Sequence, residues 1–129
     1  MRIGFCVLGG SFSEGVDLPG RKLIGAIVVG TGLPGISNEG NILSEYYENT
    51  RGSGFDYAYR YPGYSRVLQA AGRVIRRDDD RGVVVLVDDS WGAEKGNDEW
   101  DAHWSKPAEI ARSAQELAEM LRIFWEKFK

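Results

Sequence analysis

The strongest constraint on this chain comes from three uninterrupted apolar runs: IGFCVL (residues 3–8), LIGAIVV (23–29) and VVVLV (83–87). A strand with one wet face alternates apolar and polar residues. A short run that is apolar at every position fits a strand covered on both faces, as in a parallel sheet. Parallel neighbours need a long crossover, usually a helix, and the intervals between the runs carry helical patterns. NEGNILSEYYENT (38–50) is one. YSRVLQAAGRVIRR (64–77) is the stronger, with Val67, Ala70, Ala71, Val74 and the nearby Ile75 forming one apolar face. Alternating strands and helices predict an α/β fold, a parallel sheet flanked by helices.

The length of 129 residues suits one domain with a modest core, and 43% hydrophobic residues are enough to build it. A net charge of −3 argues against a basic surface that coats nucleic acid or membrane, while leaving room for a local arginine cluster. Cys6 is the single cysteine, so the chain has neither a disulfide framework nor metal-ligand spacing. A reducing cytoplasmic location is the natural expectation. Residues 3–8 are too few to cross a membrane, and no membrane partner is expected. A core strand placed directly after the first residue reads as a domain entered midway.

Beyond the third run the character changes. Residues 89–104 carry Trp91, Trp100 and Trp104 without a clear period, as a loop that pins aromatics to the domain or offers a contact surface. Residues 105–129 read as a helical extension. Pro107 suits a first turn, and Ser113 with Glu116 forms a capping-box pattern. Leu117, Met120, Leu121, Phe124, Trp125 and Phe128 make one apolar stripe of an amphipathic helix, for core packing or for a partner.

Two constellations carry chemistry. GGSFSEGVDLPG (9–20) follows the first apolar run, at the strand end where open parallel sheets bind ligands. Its glycines allow close backbone approach to a phosphate, Ser11 and Ser13 add hydroxyl donors, and Asp17 can accept from a ribose hydroxyl or an arginine. A plain glycine-rich turn is the alternative, because such motifs alone are weak signals. The second constellation lies on the 64–77 helix. Gln69, Gly72, Arg73 and Arg76 share the face opposite Val67, Ala71 and Val74. A glycine inside a helix costs about 1 kcal/mol relative to alanine, which suggests close approach by a backbone or a ligand. Arginine is suited to bidentate phosphate contacts. The alternative is a solvated face neutralised by Asp78, Asp79 and Asp80. Loop and arginine face would meet at one sheet edge, where Asp17 could orient Arg76. No G-x-x-x-x-G-K-[ST] run occurs, so the chain by itself cannot hold a triphosphate and Mg²⁺ in the P-loop manner.

Residues 9–20 resemble motif V, and QAAGRVIR resembles motif VI, of superfamily 2 helicases of the DinG/XPD type. The Q-x-x-G-R-x-x-R core, the following D-x-G turn and VVVLVDD extend the likeness, as do VGTGLP and FDYAYRYPGYSRV upstream. It covers about residues 3 to 104. The resemblance implies a second RecA-like motor domain (residues 1–104, cut at its start), a partial P-loop NTPase-type sheet. The parent enzymes are ATP-driven DNA helicases that translocate on single strands. They bind ATP with Mg²⁺ between two motor domains, mainly through the first. Carried over by motif, Arg76 is the arginine finger and Arg73 a second phosphate contact or a partner of the acidic motif residues. Gln69 lines the cleft near the γ-phosphate and its attacking water, beside Gly72. Asp17 orients Arg76 or touches the ribose, and Glu14 with Gly15 shapes that edge. Ser11 or Ser13 lies between the ATP cleft and the DNA track.

The sequence departs from the family in lacking the first motor domain with its Walker motifs and the cysteines that hold an iron–sulfur cluster in many relatives. Ser90, followed by Trp91, stands where arginine is frequent. The expectation is a piece of a longer helicase, inactive as an ATPase alone, whose partners are the first motor domain and single-stranded DNA. An open sheet edge could also lead to self-association. A stand-alone, catalytically inactive binding or protein-interaction module of the same fold is the alternative.

Overall fold

The computed structural model describes residues 2–11, 18, 22–77, 79–92 and 108–129. The chain divides into two compact units, Met1–Asp88 and Asp89–Lys129. The boundary expected at residues 104/105 lies outside the described residues.

In the first unit, strand β1 (Gly25–Val29) pairs in parallel with β2 (Val83–Val87), Gly25 opposite Val83 and Val29 opposite Val87. The crossover between them holds helix α1 (Asn38–Arg51) and helix α2 (Tyr61–Ala71). This is the expected α/β arrangement, a partial RecA-like fold. Helix α1 starts at Ser37, whose hydroxyl accepts from the Gly40 N–H at 3.0 Å, and stops at Gly52, left-handed at φ 69°. Its faces are exposed or half-buried, so it is held by contacts to the next helical run. The Tyr59 hydroxyl donates to Asn41 Oδ1 at 2.8 Å, and the Tyr47 and Tyr57 rings stack at 4.6 Å.

That next run begins earlier than residue 64. A π-helical segment, Asp56–Arg60, leads directly into α2. Pro62 explains the widening: it has no N–H for an i→i−4 bond, and its ring presses on the preceding turn. The Tyr61 N–H instead reaches back to the Asp56 carbonyl. The expected helix of residues 64–77 also ends sooner, at Ala71. Gly72 takes the C-cap, with its N–H donating to the Leu68 carbonyl at 2.8 Å. Glycine is the poorest helix former here other than proline, and the backbone beyond it finds a different acceptor, described below.

The core is small: Val28, Ala58, Tyr59, Val67, Ala71 and Val74 are its buried apolar residues. Val67 and Ala71 on α2 and Val74 in the turn after it belong to the apolar face foreseen from spacing, whereas Ile75 is exposed. Helix α2 packs on β1. Its Gly63 sits so close to the loop after β1 that a Cβ would lie 2.9 Å from the Thr31 carbonyl oxygen and 3.1 Å from the Leu33 nitrogen. In that loop Gly32 has φ +66°, and a Cβ there would meet the Gly63 oxygen at 2.9 Å.

Two expectations fail. Residues 3–8 form no strand, and Ile3, Phe5 and Val7 are exposed, Phe5 at 97%. Nor is the sheet covered on both faces among the described residues, since Ile27 and Val29 are 69% and 77% exposed. The apolar content that specifies a buried strand is present, but a strand also needs a ladder partner, and no described residue pairs with 3–8.

In the second unit, a short 3₁₀ turn (Asp89–Gly92) precedes, in sequence, helix α3 (Ala114–Glu126). The Ser113 hydroxyl accepts from the Glu116 N–H at 3.1 Å, as the capping pattern predicts, but Glu116 reaches back to the Arg112 N–H at 2.7 Å. Leu117, Met120, Leu121, Phe124 and Trp125 are half-buried, and Phe124 meets Trp125 and Phe128 edge-on. Pro107, Trp100 and Trp104 lie outside the described residues. No helix among the described residues is long and apolar enough to cross a membrane.

Two predictions follow from this packing. Helix propensity alone says that Gly63→Ala should stabilise α2 by about 1 kcal/mol. The backbone contacts of Gly63 reverse the sign, and chemical denaturation should show a loss of about 1–3 kcal/mol. In α3, Arg122 donates from Nε to Glu119 Oε2 at 2.8 Å and from Nη1 to Glu126 Oε1 at 2.5 Å. The hydrogen bond from Arg122 holds Glu119 below its ordinary value. A folded value below the unfolded one, about 4.3 for glutamate, means this support is complete above that pH and lost as pH falls through the lowered value. Cα chemical shifts across 114–126 should therefore show an acid-side loss of helix that is smaller in Glu119→Gln, where Glu126 and Glu116 still titrate.

Candidate phosphate-contact site

The last turn of α2 and the turn that follows bring four of the singled-out residues together. Gln69, Gly72, Arg73 and Arg76 line one open concavity of ≈ 480 Å³. They do so by a route different from the one their spacing suggests. Gln69 stands on the helix, Gly72 is its cap, and both arginines lie beyond the helix end. The turn carries Val74 inward, where it is 2% exposed, so that Arg73 is left half-buried and Arg76 exposed on the outer side. Around the position of a Gly72 Cβ, the neighbours within 4 Å are the Leu68 and Gln69 carbonyl oxygens of its own helix, at 3.1 and 3.9 Å. Gly72 therefore ends the helix and leaves the concavity open, rather than receiving another part of the described chain.

Asp80 shapes this turn. Its Oδ2 accepts from the backbone N–H groups of both Arg76 and Arg77 at 3.0 Å, and the Asp80 N–H donates to the Arg77 carbonyl at 3.1 Å. In the sequence, Asp80 reads as one of three charges neutralising the arginine face. The overlooked signal is spacing: an Asp three and four residues after two backbone N–H groups is placed to cap them. Arg66 was missed as well. It lies one turn before Gln69, is half-buried, and its Nη1 faces the Gly32 carbonyl oxygen at 3.5 Å. A Cβ on Gly9 would meet the Arg66 side chain at 3.7 Å, so the loop after residues 3–8 lies against the same helix.

Of the loop residues, Ser11 is exposed just past a tight turn in which the Gly10 N–H donates to the Val7 carbonyl at 3.0 Å. Ser13, Glu14, Gly15 and Asp17 lie outside the described residues, and so does the contact expected between Asp17 and Arg76. Among the described residues no three His, Cys, Asp or Glu side chains gather as metal ligands. Chemically, the concavity combines two guanidiniums, which donate in planar forks, with a side-chain amide. That set is matched to the oxygens of a phosphate group.

The fold is a parallel βαβ-type unit with an arginine pair after its second helix, and sequence comparisons show the family to which it belongs. Residues 1–106 match the helicase C-terminal domain family, and the chain belongs to it, within the DinG/XPD-type branch of superfamily 2. It is 40% identical over 81 residues to the ATP-dependent DNA helicase DinG of Photobacterium profundum, covering 61% of this chain and 12% of that protein. It is 32% identical over 96 residues to a regulator of telomere elongation helicase 1 homolog of Caenorhabditis elegans, covering 67% and 10%. A probable ATP-dependent helicase of Methanocaldococcus jannaschii is 34% identical over 95 residues, covering 66% and 14%. The chain thus spans about a tenth of the length of the curated relatives it matches.

Proposed function

We propose that this chain supplies the second half of the ATP site of a DNA helicase. The supporting observation is the convergence of Gln69, Gly72, Arg73 and Arg76 on one open concavity. Arg76, the more exposed of the two arginines, is the finger that reaches the γ-phosphate of ATP held with Mg²⁺ mainly by a first motor domain. Arg73 makes a second phosphate contact, and Gln69 borders the attacking water. Two guanidiniums stabilise the charge that spreads over the equatorial oxygens during transfer. Glu14, Gly15 and Asp17 flank the nucleotide. Ser11 or Ser13 serves between the ATP cleft and a single-stranded DNA track. No iron–sulfur cluster belongs to this part of the enzyme.

The exposed apolar residues of 3–8 and of the outer sheet face fit the same reading, because a longer helicase would cover them. In this chain alone the edges of the two-stranded sheet favour self-association.

The experiment is reconstitution. A first motor domain is added as a separate polypeptide and DNA-stimulated ATP hydrolysis is measured. Arg76→Ala should lower turnover by about 10³. Unchanged turnover in that variant removes the finger role and leaves a catalytically inactive interaction module as the better account.

A further inference from the structure

We infer that Asp80 is a positioning residue for Arg76: it holds the turn after α2 so that Arg76 faces the same concavity as Gln69 and Arg73. The inference rests on the phosphate-contact reading above and adds a residue to it.

Once α2 has ended at Ala71, the backbone N–H groups of Arg76 and Arg77 have no helical acceptor. Asp80 supplies one oxygen to both, at 3.0 Å each, and its own N–H closes the turn back to the Arg77 carbonyl. Both ends of the turn are fixed to the core. On one side Val74 is 2% exposed. On the other, Gly82 packs against Val74 Cγ1 so tightly that a Cβ has no room, and one built there would also lie 3.0 Å from the Ile24 carbonyl oxygen. Val74 and Gly82 are therefore pinned to each other. The intervening segment is held at its middle by the Asp80 carboxylate, at the backbone of Arg76.

The sign of the charge makes this more than a turn description. A carboxylate four residues from a phosphate-contacting arginine opposes anion binding by simple Coulomb repulsion. If Asp80 acted through its charge, its removal would strengthen binding. If it acts by holding the turn, its removal weakens binding despite the lost repulsion. Asn keeps an acceptor oxygen and the side-chain volume, whereas Ala keeps neither.

The test uses the full chain with inorganic triphosphate as the probe. Binding is followed by NMR at the arginine Nε–H groups, and amide hydrogen exchange is read at residues 76 and 77. Asp80→Ala should bind triphosphate roughly fivefold more weakly than the native chain, the size of a lost cap. Asp80→Asn should bind at least as well as the native chain. Amide exchange at 76 and 77 should speed up in the Ala variant and not in the Asn variant. Tighter binding by both variants overturns the inference, as does loss of binding by a folded Asp80→Asn protein. Weaker binding in Arg76→Ala but native binding in Asp80→Ala overturns the inference and leaves the phosphate-contact reading standing. Unchanged binding in Arg76→Ala, or no saturable binding by the native chain, overturns that reading and the inference with it.

Discussion

The first unit depends on how closely α2 approaches the loop that leaves β1. Backbone lies on backbone at Gly63, against Thr31 and Leu33, and this fixes the distance of the helix from the sheet. Val67 and Ala71, one and two turns on, then become fully enclosed. The side of the helix opposite this contact is left to Gln69, and the chain that follows presents Arg73 and Arg76. The site has no separate scaffold. It is the outer surface of the same two turns that bury the core.

Much of this was legible because core and site draw on different residue types at a regular interval. Val67, Ala71 and Val74 against Gln69, Gly72, Arg73 and Arg76 separate cleanly by spacing: the first set is buried and the second lines the concavity. The helix end was not legible from spacing. Helical periodicity continues through Ile75 and Arg77, but Gly72 weakens the helix, and Asp80 offers the next N–H groups a competing acceptor. Position on a face survived because a tight turn roughly continues helical direction for a few residues. The strand expected at 3–8 was misread for a different reason. Composition reports what a segment would do beside a partner, and pairing is a property of two segments.

Exposure of apolar residues in this unit has a consistent pattern. It runs through residues 3–7, the outer positions of β1, Ile36 in the loop after β1 and Ile42 and Tyr46 on α1, while the α2 side of β1 is covered. A parallel strand read as apolar at every position is specified for two covered faces. Here the inner face has its cover, with Val28 7% exposed, and the outer face shows the residues that a second layer would take. The sequence of β1 thus specifies a cover for its outer face that the described residues do not supply.

The π-helical segment before α2 gives a last constraint on where the site faces. In a regular α-helix, residues eight apart are about 80° out of phase. Tyr59 and Val67 are eight apart, yet both are buried, at 5% and 0%. A wider turn advances less per residue, so the π segment brings Tyr59 back toward the Val67 side. Pro62, by removing one N–H from the ladder, makes the wider turn the less costly choice at this point. Tyr59 can then donate to Asn41 and hold α1 while the same helical run keeps Val67 and Ala71 on the core. The wider turn thus brings the residue that clamps α1 and the face that buries Val67 and Ala71 closer in phase along one helical run, with Gln69 left on the outward stripe.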